Sequence, residues 1–199
     1  MQMRPVRPAA LAVAPILALV SVGDISWARP QAAEAPRILE LAGDVAPVHD
    51  PVAIEEKGTY YVFCTGGRNG QGVIPIRTSK DMRRWTAAGF VFPSLPEWAT
   101  REIPKARNAW APDIAFFNGK YHLYYSVSSF GSRDSAIGLA TTRTLDPSSP
   151  DYRWVDEGMV LRSYADKDDW NAIDPNLVIE DRAHAWLVLM APAGTPAPV

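Results

Sequence analysis

The chain has 199 residues, enough for one domain with a sizeable core and too few for two comfortable ones. Hydrophobic residues make up 47% and charged residues 21%, which excludes wholesale disorder. With Lys+Arg at 20 and Asp+Glu at 22 the net charge is -2, so no basic excess suggests a nucleic-acid partner. A single cysteine, Cys64, rules out an intrachain disulfide and a cysteine-based zinc cluster.

Residues 1–28 have the layout of a secretory signal peptide. Arg4 and Arg7 give a positive start, Ala9 to Val22 is apolar except for Pro15 and Ser21, and Ser26-Trp27-Ala28 offers small residues for a peptidase. The alternative is a buried N-terminal helix, which Pro8 and Pro15 would interrupt. Cleavage after Ala33 is the alternative. The expected location is secreted or periplasmic, with no membrane association once the peptide is removed.

Beyond a lead-in at 29–47, short runs of aromatic and aliphatic residues alternate with Gly, Asn, Asp and Pro, a strand-and-turn pattern. Tyr60-Tyr61-Val62-Phe63 follows a turn at Lys57-Gly58-Thr59. Tyr121-His122-Leu123-Tyr124-Tyr125 follows one at Asn118-Gly119-Lys120, and Asn-Gly is a strong hairpin signal. The two hairpins are copies of one unit, offset by about 61 residues. Their second halves also match, with Ile76 to Ser79 leading to Trp85 and Leu139 to Thr142 leading to Trp154. A third copy starts at Ile173 and reaches a strand at Ala185 to Leu189. Units of about 60 residues with four strands predict an all-β chain of β-propeller type, about two and a half blades over 48–190. A β-sandwich with accidental self-similarity is the alternative. Residues 191–199 show no strand pattern and read as a linker or as out-of-frame coding, so the chain is expected to be incomplete.

The innermost strand of a propeller blade lines the axial pocket. Acids stand at three blade starts: Asp50 before Pro51, Asp113 after Pro112, and Asp174 before Pro175, with Asn108, Trp110, Trp170 and Asn171 nearby. Convergent carboxylates with aromatic walls suit sugar chemistry, because rings stack on sugars and acids manage the protons of glycosidic cleavage. Any one of these acids could instead cap a turn. Trp85 and Trp154 are expected in blade cores, and His122 is expected to be structural.

Three segments carry a resemblance. Val48-His49-Asp50-Pro51, Asn108-Ala109-Trp110-Ala111-Pro112-Asp113-Ile114 and Asn171-Ala172-Ile173-Asp174-Pro175-Asn176 are similar to the signature segments of glycoside hydrolase family 43. Within that family they most resemble the endo-1,5-α-L-arabinanases. The resemblance implies a five-bladed propeller and an inverting mechanism with three carboxylates: a base Asp, an Asp that positions the acid and tunes its pKa, and a Glu general acid. Asp50 matches the base and Asp174 the tuning residue, while Trp110, Asn171 and Asp113 fall to substrate binding.

The resemblance gives no match for the general acid, which in the family comes from a later blade; neither Glu157 nor Glu180 sits in a matching motif. It implies no certain cofactor for the chain itself, and a structural calcium belongs to the complete family fold. The expected partner is arabinan as substrate, with xylan-derived oligosaccharides second; the protein is expected to be a monomer, and this portion inactive alone. Two other readings stay open: a carbohydrate-binding propeller without catalysis, and a sucrose- or fructan-acting propeller enzyme.

Overall fold

A computed structural model describes residues 39–68, 71–181 and 184–189. The expected signal peptide at 1–28 and tail at 191–199 lie outside the described residues. In chain order the elements are β1 (Ala42–Gly43), β2 (His49–Glu56), β3 (Thr59–Thr65), β4 (Gly67–Arg68), β5 (Gly72–Ser79), β6 (Arg84–Phe92), α1 (Glu97–Glu102), β7 (Ala109–Phe117), β8 (Lys120–Val127), β9 (Ser135–Thr142), β10 (Val155–Ser163), β11 (Asn176–Ile179) and β12 (Ala185–Val188).

These strands form propeller blades. The first runs β2-β3-β5-β6 as an antiparallel meander, with β4 on β5 and β1 added in parallel to the outer strand β6. The second runs β7-β8-β9-β10, and β11-β12 open a third. Ala42 and Gly43 pair with Arg84 and Trp85, so the first sheet begins inside the lead-in, ahead of residue 48. The buried Arg77 fastens that lead-in, donating from Nε and Nη2 to the carbonyls of Asp44 and Pro47, each at 2.6 Å.

Both inner hairpins turn on two residues, as their sequences predict. Lys57-Gly58 have φ of 48° and 74°, and Asn118-Gly119 have 50° and 75°. Two successive positive φ values make a type I′ turn, whose twist matches that of the strands it joins. The aromatic strands that follow are the blade interiors. Phe63 and Ile74 of the first blade pack with Leu123, Tyr125 and Leu145 of the second in one buried cluster. Each such side chain is worth about 1.5–3 kcal/mol when fully buried.

Each complete inner strand also carries a one-residue bulge. His49 pairs with Thr65 and Val52 with Phe63, so three steps on β2 face two on β3. Trp110 pairs with Ser126 and Asp113 with Tyr124, the same count on β7 and β8. The extra residue falls at Asp50-Pro51 and at Ala111-Pro112, where proline has no N–H for the ladder. In true register, therefore, Asp50 corresponds to Ala111 and Val52 to Asp113. Asp50, Ala111 and Asp174 each precede a proline and share a left-handed backbone, with φ of 48°, 39° and 53°.

The two tryptophans expected in blade cores part company. Trp154 packs on the core, edge-on to Phe63 at 5.7 Å between centroids. Trp85 does not join it; with Leu41, Val45, Val48 and Val62 it lines a shallow apolar depression on the first blade. The repeat puts a tryptophan at both places, but among the described residues only the second meets a ring of the other blade, Phe63. His122 stacks on Phe117 at 3.8 Å, and burial lowers its pKa, in keeping with a structural role. The two blades are also joined by Glu56, at the end of β2. Its carboxylate accepts from the Thr144 hydroxyl at 3.0 Å and the Leu145 N–H at 2.8 Å.

Candidate active site

A cavity of about 510 Å³ opens where the inner strands begin, lined by His49, Asp50, Thr65, Asn108, Trp110 and Asp174 among others. Asp50 and Asp174 thus reach one space from sequence positions more than a hundred residues apart. Both stand directly before a proline on a left-handed backbone. Asp tolerates that conformation better than most residues because its short side chain bonds locally.

Asp50 is held at one oxygen. Its Oδ2 accepts from the Thr65 hydroxyl at 2.7 Å and lies 2.8 Å from Nδ1 of His49. No described residue donates to Oδ1. A carboxylate with one oxygen tied and the other free is arranged to take a proton from a water. Asp174 receives a different environment. Burial, and then the negative charge of Asp50, raise its pKa above the usual carboxylate range. Its backbone N–H donates to the Ser126 hydroxyl at 2.9 Å.

The aromatic wall has two members. Trp110 donates from Nε1 to Asn108 Oδ1 at 2.8 Å, which fixes its ring, and Phe130 lies 5.3 Å away. Phe130 is 98% exposed, an apolar ring held at the cavity rim with nothing packed over it. Lys105 and Arg107 add positive charge to the same wall. Sequence reasoning missed Phe130, Lys105, Arg107 and Thr65. The first three stand in loops with no periodicity to flag them, and Thr65 reads as an ordinary strand residue.

Two expected substrate residues are elsewhere. Asp113 does not line the cavity. Its Oδ2 accepts from the Leu177 N–H at 2.5 Å and from Asn176 Nδ2 at 3.2 Å, tying β7 to β11 of the next blade. Asp113 lies two residues past Ala111, the position that matches Asp50. Asn171 also lies outside the cavity lining; its carbonyl accepts from the Ile173 N–H at 2.9 Å, in the turn before Asp174. Trp170 does not line it either. Glu157 accepts from the Thr141 hydroxyl and Glu180 from Trp186 Nε1, both away from the cavity. Among the described residues, no three His, Cys, Asp or Glu side chains come together to hold a metal ion.

The sequence profile described as Glycosyl hydrolases family 43 matches residues 45–197. The chain belongs to glycoside hydrolase family 43. Over 141 residues it is 45% identical to an extracellular exo-α-(1→5)-L-arabinofuranosidase of Cellvibrio japonicus, covering 70% of this chain and 39% of that protein. It is 40% identical to an extracellular endo-α-(1→5)-L-arabinanase of Bacillus subtilis, covering 70% and 42%. Among solved structures it resembles an exo-1,5-α-L-arabinanase from a bovine ruminal metagenomic library, with TM-score 0.65 and 48% identity over 70% of this chain and 44% of that one. It also resembles Cellvibrio cellulosa α-L-arabinanase complexed with arabinohexaose, with TM-score 0.64 and 42% identity over 70% and 43%. The chain spans about two fifths of the length of these curated relatives.

Proposed function

We propose that this chain provides the base-bearing part of an arabinan-cleaving glycoside hydrolase that acts with inversion. The observation that carries the reading is the shared cavity of Asp50 and Asp174, faced by Trp110 and Phe130. Asp50 is the general base: its free Oδ1 takes a proton from the attacking water. Asp174 is the tuning residue, a second carboxyl set to hold a neighbouring acid in place and keep it protonated. The rings of Trp110 and Phe130 receive the apolar faces of arabinose units. The names of the relatives, both exo- and endo-acting, support 1,5-linked arabinan as substrate and export as the destination.

No glutamate lines the cavity among the described residues. The general acid is therefore assigned to a glutamate outside the described residues; acid–base assistance contributes about 100- to 10,000-fold, so cleavage depends on that residue reaching the cavity. A structural calcium is what the resemblance implies for the complete family fold, and no step is assigned to one.

The test joins the chain to the C-terminal blades of its Cellvibrio japonicus relative and follows linear 1,5-arabinan by proton NMR. The expected result is a first-formed product of inverted anomeric configuration, lost in Asp50→Ala with the far-UV spectrum unchanged. Binding without any cleavage in the joined protein would instead mark a carbohydrate-binding propeller. Near-normal activity of Asp50→Ala would overturn the assignment of the base.

A further inference from the structure

The bulge register puts Thr65 of β3 and Ser126 of β8 at the same place in successive blades, since they pair with His49 and Trp110. Their hydroxyls do the same thing. Thr65 Oγ1 accepts from the Ala111 N–H at 2.6 Å, and Ser126 Oγ accepts from the Asp174 N–H at 2.9 Å. In both cases the acceptor reaches across to the left-handed residue that starts the next blade's inner strand. Such a backbone costs about 1–3 kcal/mol unless its surroundings hold it, and a hydroxyl aimed at its N–H is such a hold.

Thr65 goes further than Ser126. Its hydroxyl accepts from one blade and donates its only proton to the other, at Oδ2 of Asp50. With one lone pair engaged by the Ala111 N–H, the O–H points toward Asp50. That bond and His49 both fall on Oδ2, which leaves Oδ1 facing the cavity. We infer that Thr65 and Ser126 are positioning residues, a repeated hydroxyl strut that sets the aim of Asp50 through its carboxylate and of Asp174 through its backbone. The inference rests on the reading of Asp50 and Asp174 as the working acids, and it names the residues that hold them.

The experiment uses the whole 199-residue chain and NMR. Three-bond couplings from the Asp50 carboxyl carbon to its backbone nitrogen and carbonyl report its χ1 rotamer. In the native chain they should show a single rotamer. In Thr65→Val, which keeps the shape and removes the hydroxyl, they should average, and the Ala111 amide should exchange at least about tenfold faster. Thr65→Ser should restore both readings. In Ser126→Ala the Asp174 amide should exchange faster while that of Ala111 does not change.

An averaged Asp50 rotamer in the native chain overturns the proposal with no variant needed. So does a locked rotamer in Thr65→Val, or in Thr65→Ala should the valine variant fail to fold. An Asp174 amide unmoved by Ser126→Ala overturns the second strut. No sugar enters these measurements. Intact struts in a protein that never cleaves arabinan would refute the glycosidase reading alone.

Discussion

Asp50 and Asp174 open into one cavity, and the negative charge of Asp50 adds to burial in raising the pKa of Asp174. Two carboxyl groups that share one cavity do not ionise independently; the second to lose its proton meets the charge of the first. Burial is the larger cause, and no donor among the described residues reaches the Asp174 carboxyl to offset it.

Replacing Asp50 by Asn removes that charge and leaves the burial. The pKa of Asp174 should therefore fall in Asp50→Asn but stay above the ordinary carboxylate value, because burial is the larger cause. A carbon-13 titration of the Asp174 carboxyl reads this directly. A pKa that stays put would mean the two groups do not sense each other.

The same shift has a consequence for stability. An acid whose pKa is higher in the folded chain than in the unfolded one disfavours folding once it ionises. The penalty is complete above the raised folded value and disappears as pH falls to the unfolded value, about 3.9. Asp174→Asn keeps the shape without the charge. It should be more stable than the native chain at neutral pH, with the difference closing on acidification. Urea midpoints measured from pH 7 down to pH 4 would show it, and a gap that widens toward acid would contradict the sign.

Phe130 is almost fully exposed beside Trp110, so Phe130→Ala should leave thermal stability unchanged while weakening arabino-oligosaccharide binding about three- to tenfold, the range for loss of one aromatic contact. Titration calorimetry of the chain with arabinohexaose tests this. Unchanged affinity would remove Phe130 from the sugar site.

Glu56→Ala leaves the Thr144 hydroxyl and the Leu145 N–H without their acceptor at the joint between the first two blades. The expected cost is about 1–3 kcal/mol, several degrees in Tm. A second reading comes from Tyr121, whose pKa is pushed up to about 12, mainly by burial and then by the charge of Glu56. In the variant that phenol should titrate at lower pH in an ultraviolet scan. A stability loss without that movement would mean Glu56 acts elsewhere.

Much of this fold is legible in the sequence because its determinants are local. Lys57-Gly58 and Asn118-Gly119 announce type I′ turns, and the aromatic alternation around Tyr61 and Leu123 announces the strands they join. Asp50 and Asp174 are legible too, since both stand directly before a proline in the repeat. Asp113 stands apart because the offset of about 61 residues puts Ala111, and not Asp113, in the place of Asp50. Trp85 was misread because a sequence repeat records which residue a blade carries and not which neighbour that blade has. Phe130, Lys105 and Arg107 sit on irregular segments, where position comes from the docking of the blades and no pattern encodes it.

The Asp-Pro and Ala-Pro bulges separate two alphabets written on one strand. Past the bulge, β2 and β7 keep the alternation that fills a blade interior; at and just before it, His49, Asp50 and Trp110 face the pocket. The out-of-phase step lets either half change alone. Ala111 stands where Asp50 and Asp174 stand in the neighbouring units, on the same backbone, with its blade still packed. A repeat protein built this way can redistribute charge around its axis blade by blade, editing one letter at a time, without rewriting the core that keeps the ring together.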